Sequence, residues 1–523
     1  MLINKKNTYK ACMTILVGLV MILSAGCTKQ FDEINTPEDQ IIAGKVDITL
    51  LGQAFAECEF YGLCGDNQSF QRSESLFADE YSQYFATIEP NFDSGNFTEV
   101  TSWTNRYFND LYSRALPQLL FVENYTRDNK MDLANAIAKV WKVVVYHRIS
   151  DFFGPIIYSQ FGNEKISVPY DSQEDAYHDF FKTLDSAVAV LKQQGGKNAF
   201  GTNDLVFNGD ADKWLTLANS LRLRLAMRIA YVDPSLAKQQ AEQAVADGVM
   251  TDNLQNAMVR CSANSLNFYA AITYIDEFRM TATMESVMVG YHDPRISQYF
   301  DPAVDGGGYH GIRNGLPRVE KGTFLKDPYS FINVKWRPLA RGGTNPPMPV
   351  MKATELYFLR AEGALRGWNM GGTQMEFYNE GIRTSLKETT TATDAEIGNY
   401  ITSMNTPVAV NDKWNTPPMS DIPVNYDAGG SFERQLEQII TQKWIAIFPD
   451  GWESWSERRR TGYPVGYPII QSFNPDINEH GMMRRLQFTT GEISNNSDAV
   501  EEARKLLNGP DKNYTKLWWD ARP

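Results

Sequence analysis

The sequence predicts an all-α fold built from helical hairpins like those of tetratricopeptide repeats, combined with a loop-rich, irregular part. Apolar residues recur at intervals of three and four over long stretches, which indicates helices with one buried face. Capping residues and glycines mark the ends of these stretches. Two further segments, residues 299–350 and 404–431, are rich in glycine, proline, asparagine and aromatic residues and predict long loops.

The amino terminus has the layout of a secretory signal peptide. A basic segment precedes an uncharged run of 15 residues, Ala11 to Ala25, which is too short to cross a hydrocarbon core of about 30 Å as a helix. Cys27 directly follows Leu23 to Gly26, an arrangement that resembles a bacterial lipobox. We therefore expect residues 1–26 to be removed and Cys27 to be acylated. An ordinary secretory signal that ends in a cysteine is the alternative.

The predicted mature chain consists of a lipidated tether, residues 27–50, and a single domain, residues 51–523. Removing residues 1–26 takes away three lysines and no acidic residue, so the formal net charge changes from −13 to −16. Nucleic acid is bound by neutralising its phosphates, so such an acidic protein is not expected to bind it. Anionic lipid would also repel it, so the acyl chains alone should hold it at a membrane. A neutral ligand such as a sugar fits this charge better.

Three cysteines, Cys58, Cys64 and Cys261, lie beyond the signal and the anchor. A Cys58–Cys64 disulfide can form outside the cytoplasm, but the odd number leaves at least one thiol free. Three unpaired, buried cysteines are the alternative. The sequence contains no C-x-x-C pair, which argues against a thiol-based zinc or redox site.

Two pairs of helices are predicted in the first half of the chain. The segment from Leu111 to Ile149 contains two helical patterns separated by a polar turn at residues 128–130. The segment from Asp210 to Ile229 is the clearest single helix, with Arg222 outside its apolar stripe, as for a solvated or ion-paired residue. The next helix begins at Asp233-Pro234, an N-cap followed by a proline at the first helical position, and ends at Gly248.

The segment from Thr354 to Leu386 predicts a helical hairpin. Leu356 and Leu359 lie on the apolar face of its first helix, and Tyr378 and Ile382 on that of its second. A glycine-rich turn, Gly367 to Gly372, separates the two. This is the layout of a tetratricopeptide-type hairpin, although no regular repeat period is present.

No motif in the sequence indicates catalysis, a metal or a cofactor. The glycines at 306, 308 and 311 satisfy G-x-G-x-x-G, but no predicted strand and helix flank them, so a flexible loop is the better interpretation. The five histidines are scattered without ligand spacing. A glycosidase would need two carboxylates about 5–10 Å apart, a geometry that sequence does not fix and that a helical scaffold does not favour.

Aromatic side chains in polar loops are the best indication of a ligand site, because the apolar faces of sugar rings stack on them. The preferred ligand-binding candidates are Trp103, Tyr61, Phe70, Tyr309 and Trp336. Further residues in similar positions are Phe60, Phe92, Phe97, Tyr299 and Tyr329. Loop packing is the alternative for each of them, and only an exposed cluster would form a binding patch.

Several blocks of this sequence resemble the SusD/RagB family of nutrient-binding outer-membrane lipoproteins. They include the Gly-Asp-x-x-Lys-Trp helix start and the run Arg458-Arg459-Arg460-Thr461-Gly462-Tyr463-Pro464. The matching blocks are Phe31–Pro37, Phe207–Arg228, His292–Arg295, Glu355–Trp368, Gln442–Pro464 and Arg484–Asn496.

The resemblance implies four tetratricopeptide-like hairpins, an irregular part with the ligand site, and no catalysis. It also implies a lid over a SusC-like, TonB-dependent transporter, into which the protein passes glycans or sometimes peptides. It assigns structural roles to Asp210, Trp214, Trp444 and Arg459, and it favours Trp103 as a stacking residue. The expected protein is lipid-anchored in the outer membrane and faces outwards. Binding of a peptide or another nutrient, and a surface glycosidase, are the alternative functions.

Overall fold

The structure is a computed structural model that describes residues 48–523 except 64, 66, 263, 264, 266, 268, 270–274 and 338. The predicted signal peptide, most of the tether and the lipidation site at Cys27 lie outside the described residues. Residues 52–523 form one compact unit. Within the described part, no helix combines the length and apolar character needed to cross a membrane.

Helices dominate the first half of this unit, which also contains π-helical turns at Gln71–Ala78 and Leu111–Ala115. The α-helices up to residue 299 are α1 (Ile48–Gly62), α2 (Asn67–Phe70), α3 (Asp79–Tyr81), α4 (Thr101–Asp110), α5 (Leu116–Asp128), α6 (Asp132–Phe153), α7 (Gln173–Leu191), α8 (Ala211–Arg228), α9 (Pro234–Asp247), α10 (Ala282–Gly290) and α11 (Ile296–Tyr299). The later ones are α12 (Ala353–Leu365), α13 (Gln374–Thr389), α14 (Asp394–Ile401), α15 (Phe432–Ala446), α16 (Gly451–Thr461), α17 (Pro475–His480), α18 (Thr490–Asn495) and α19 (Ser497–Arg504).

The strands are short and form two-stranded antiparallel ladders in the described part of the chain. The strands are β1 (Phe85–Thr87), β2 (Ala257–Val259), β3 (Phe278–Met280), β4 (Phe300–Asp301), β5 (Phe331–Ile332) and β6 (Met348–Met351). β1 pairs with β3, β2 with β6, and β4 with β5. In the first ladder Phe85 lies opposite Met280 and Thr87 opposite Phe278.

Neighbouring helices pack as hairpins, which confirms the predicted all-α, tetratricopeptide-like class. The packed pairs along the chain are α5 with α6, α6 with α7, α8 with α9, and α12 with α13, and α15 packs on α12. The predicted loops are also present. Residues 404–431 contain no helix or strand, and residues 302–347 contain, between described residues, only short 3₁₀ turns, β5 and an isolated bridge at Ile312.

The capping residues act as predicted in α8 and α9. The side chain of Asp210 accepts hydrogen bonds from the backbone N–H groups of residues 212 and 213, and that of Asp233 accepts from Leu236 at 3.0 Å. Gly248 ends α9 at a φ of 98°, where a side chain would be strained. Arg222 is buried and ion-paired with Asp185 at 2.7 Å, so the ion-paired interpretation of this residue is the correct one.

The two predicted helical patterns between Leu111 and Ile149 are present, but the first turn of the first one is not α-helical. Residues 111–115 form a π-helical turn, and α5 begins only at Leu116. Pro117 lies in the first turn of α5. Proline has no N–H to donate to the preceding turn, so the regular hydrogen-bond pattern restarts at this position.

A buried ion cluster joins four helices of the scaffold. Arg224 of α8 contacts Glu355 of α12 at 2.6 Å. Arg228, also in α8, contacts Glu453 of α16. Lys443 of α15 donates to Glu453 at 2.9 Å. Each buried charge faces an opposite one, which removes most of the cost of burying it.

Candidate functional site

Trp103 lies in the first turn of α4 and is half-buried against two other aromatic rings. The centroid of its ring is 5.6 Å from that of Phe92, edge to face, and 6.5 Å from that of Phe77. Phe92 is also half-buried, and its ring is 6.4 Å from that of Phe278 in β3. We call these four residues the aromatic platform. Its two half-exposed members, Trp103 and Phe92, are available to stack on a ligand.

A short 3₁₀ turn, Asp93–Asn96, fixes the position of Phe92. Asn96 is fully buried, and its amide nitrogen donates to the carbonyls of Leu316 and Gln471 at 3.0 and 2.9 Å. The ammonium of Lys321 donates to Asn96 Oδ1 at 2.8 Å and to the carbonyl of Phe92 at 3.4 Å. Two distant chain segments, residues 316–321 and residue 471, therefore hold this turn.

A polar pair joins the two chain segments that carry Phe77 and Phe278. Gln71 Nε2 donates to Glu277 Oε2 at 2.6 Å, and both side chains are half-buried. Burial, followed by the negative charge of Glu89, raises the pKa of Glu277 to about 7. The hydrogen bond from Gln71 and the charge of Lys326 act in the opposite direction.

Tyr309 is half-buried in the loop between β4 and β5. Burial and the nearby charge of Asp301 raise the pKa of its hydroxyl. Asp301 is ion-paired with Arg337 at 3.1 Å, and the guanidinium of Arg337 lies 5.5 Å from the centre of the Phe331 ring. A ligand role for Tyr309 stays a prediction, as it does for Trp103.

Tyr61 borders a separate open groove of about 450 Å³. Phe60, Leu205 and Arg260 also line this groove. The guanidinium of Arg114 covers one face of the Tyr61 ring at 3.8 Å, which leaves less of the ring for a ligand. Its predicted ligand role is untested.

Phe70 and Trp336 do not present the exposed rings that their prediction requires. Their exposed fractions are 3% and 7%, and both pack edge to face against Tyr269, at 4.9 and 5.7 Å. Phe97 and Tyr299 are buried as well. Phe70 and Tyr299 each end a four-residue helix, and Trp336 ends a 3₁₀ turn. Such short elements show no period from which the direction of a side chain could be inferred, so packing inside the protein is the better interpretation for these four.

The five histidines, two of the three cysteines beyond the anchor and the glycine-rich loop lie among the described residues. Among them, no three His, Cys, Asp or Glu side chains are placed to hold a metal ion. Cys58 is a buried free thiol, which argues against its predicted disulfide, and Cys261 is free and half-buried. Cys64 lies outside the described residues. The glycines from 306 to 308 all have positive φ, and no helix follows before the 3₁₀ turn at Arg318, which favours the loop interpretation.

Two polar residues of the site, Gln71 and Glu277, escaped prediction from the sequence. They are 206 positions apart, and neither belongs to a motif. The residues given structural roles are placed accordingly: Trp214, Trp444 and Arg459 are buried, and Asp210 caps α8. The sequence contains one indication of Glu277: it is a charged residue directly before Phe278 in a segment rich in aromatic residues.

Comparison with known proteins identifies the fold family. The family model for SusD and RagB outer membrane lipoproteins matches residues 33–520.

The chain belongs to the SusD/RagB family.

Solved structures of SusD homologues agree with this assignment. A chitin-binding SusD homologue from Flavobacterium johnsoniae is 35% identical with a TM-score of 0.84, and the match covers 90% of this chain and 99% of that one. A homologue from Bacteroides ovatus is 31% identical (TM-score 0.83; 91% and 100% covered). Another from Bacteroides thetaiotaomicron is 30% identical (TM-score 0.81; 90% and 99% covered). None of the curated protein sequences matches the chain.

Proposed function

We propose that this SusD-like protein captures a glycan at the cell surface by stacking it on the aromatic platform. The observation that carries this proposal is the half-exposed pair Trp103 and Phe92, with the polar pair Gln71 and Glu277 on the segments that carry Phe77 and Phe278. An apolar surface with a few convergent polar groups is the usual composition of a small-molecule site.

The similarity to a chitin-binding homologue, at 35% identity, makes chitin oligosaccharides the first ligands to test. We further propose that Cys27 carries the lipid anchor, that the protein faces outwards, and that it delivers the glycan to a SusC-like, TonB-dependent transporter. A bound glycan must leave again for delivery, so we expect a modest affinity, in which stacking only partly offsets the desolvation of hydroxyls and the lost freedom of the ligand. The protein binds and does not cleave.

The proposal is tested with purified residues 28–523 and a panel of soluble polysaccharides and chitin oligosaccharides in affinity electrophoresis and calorimetry. We expect one polymer class to bind, Trp103→Ala to weaken this binding at least tenfold, and no sugar to be released. Phe324 provides a matched aromatic control, since its ring is 63% exposed and forms no ring pair among the described residues; Phe324→Ala should leave binding unchanged.

Two results would contradict the proposal. If the protein bound peptides and none of the glycans, its function would be peptide binding, the alternative function. If it released reducing sugar, it would be a glycosidase.

A further inference from the structure

Gln71 and Glu277 lie on the two chain segments that support the aromatic platform. Gln71 begins the π-helical turn Gln71–Ala78, and Phe77 of the same turn contacts Trp103. Glu277 directly precedes β3, whose first residue, Phe278, contacts Phe92. The hydrogen bond between Gln71 and Glu277 therefore joins the segment that carries Phe77 to the segment that carries Phe278.

The Glu277 carboxylate keeps unused capacity to accept hydrogen bonds. One oxygen accepts from Gln71 at 2.6 Å, and among the described residues no other side chain donates to it. Lys326, the cation whose charge reaches Glu277, forms its own ion pair with Asp276 at 2.8 Å. Asp93, on the other side of Phe92, is likewise neutralised by Arg318 at 2.6 Å. Glu277 thus remains a half-buried acceptor without an ion-pair partner in the described part of the chain.

This arrangement suits a ligand that supplies hydrogen-bond donors. A buried carboxylate is costly until its oxygens are satisfied, and sugar O–H or amide N–H groups can satisfy them. An anionic sugar would meet both Glu277 and Glu89, whose charges already oppose each other. The same surface therefore favours neutral glycans and disfavours uronic or sulfated ones.

We infer that Glu277, oriented by Gln71, is the specificity-determining polar group of the glycan site and accepts hydrogen bonds from the donors of a neutral sugar stacked on Trp103. This inference rests on the proposed glycan function. It adds the residue that recognises the hydroxyl and amide groups of the sugar.

The test uses residues 28–523 and chitin hexasaccharide in isothermal calorimetry. Glu277→Gln keeps the shape but removes the charged acceptor, so we expect about a tenfold loss of affinity. Glu174→Gln is the matched control, since Glu174 is exposed in the first turn of α7, and it should bind as the wild type does. A melting curve for each variant shows whether it is folded.

The pH profile separates a ligand contact from a structural role. Because the ionised form accepts the bonds, wild-type affinity should rise between about pH 6 and pH 8, and Glu277→Gln should be flat over this range. Glu89 and Lys326 face the same carboxylate and stay in place in this variant. In Gln71→Ala the midpoint should move to higher pH, because the lost hydrogen bond had stabilised the ionised form. If Glu277→Gln does not fold, the pH profile of Gln71→Ala still tests whether Glu277 contacts the ligand.

The outcomes distinguish this inference from the proposed function. The role of Glu277 would be overturned if Glu277→Gln bound with unchanged affinity and the midpoint of the pH profile did not move in Gln71→Ala. If Trp103→Ala lost binding in the same experiments, the proposed glycan capture would still hold. A wild-type protein that binds no glycan in the panel would overturn both.

Discussion

Replacing Asn96 with alanine should release the turn that carries Phe92. The buried amide of Asn96 makes two hydrogen bonds to backbone carbonyls, at 3.0 and 2.9 Å, and accepts one from the Lys321 ammonium at 2.8 Å. A neutral hydrogen bond contributes about 1 kcal/mol and one to a charged group about 2 kcal/mol, and groups left unpaired inside the protein add to the loss. We expect a local destabilisation of about 3–5 kcal/mol.

Native-state hydrogen exchange measures this loss where it occurs. The amide of Phe97 donates to the carbonyl of Ser94 at 2.8 Å, and that of Thr98 to the carbonyl of Asp93 at 3.2 Å, so both report on the turn. A loss of about 4 kcal/mol corresponds to roughly a thousandfold faster exchange, since each 1.4 kcal/mol is a factor of ten. The affinity for the glycan should fall in parallel, because Phe92 would no longer be held beside Trp103.

Asn129→Ala provides the control for this experiment. Asn129 is exposed at the end of α5, and its side chain makes one hydrogen bond to the carbonyl of Tyr125 at 2.9 Å. Its replacement should change exchange at Phe97 and Thr98 by less than about twofold. If Asn96→Ala exchanged no faster than this control, the three hydrogen bonds of Asn96 would not be what holds the platform, and the reasoning would be refuted.

Three further predictions concern the scaffold. The pKa of Glu362 is lowered to about 2, because the charges of Arg460 and Arg366 outweigh the opposing effect of burial. The stability that this carboxylate contributes should therefore be complete above about pH 4.5 and be lost as the pH falls towards 2. Urea denaturation at each pH measures this loss. Arg460→Met takes one guanidinium away from the buried Glu362 and Glu457, which keep Arg366 and Arg228 as partners, and should cost about 3–5 kcal/mol, seen as a lower denaturation midpoint. Gly398→Ala should stabilise the protein by about 0.5–1 kcal/mol in the same assay, because Gly398 lies within α14 and open space surrounds the added methyl group; a lower midpoint would contradict this.

The scaffold was predictable from sequence because its signals are local. Asp210 and Asp233 each cap a helix whose apolar residues repeat along one face, so neighbours in sequence are enough to place them. The direction of Phe70 and Trp336 was not predictable, because a four-residue helix and a 3₁₀ turn are too short to show a period that assigns a side chain to the inside or the outside. Glu277 was missed for a related reason: its partner is 206 positions away, and no spacing in the sequence brings the two together.

The scaffold and the turn that carries Phe92 are held by different kinds of contact. The helices hold one another through buried pairs such as Arg224 with Glu355, whose chemistry tolerates little change. The turn that carries Phe92 is held differently, by side-chain bonds to the carbonyls of Leu316 and Gln471. Every residue has a backbone carbonyl. The side chains at positions 316 and 471 can therefore change while the hydrogen bonds from Asn96 to the carbonyls at these positions persist. The residues proposed to contact the ligand, such as Trp103 and Glu277, can therefore be exchanged without loosening the turn that carries Phe92.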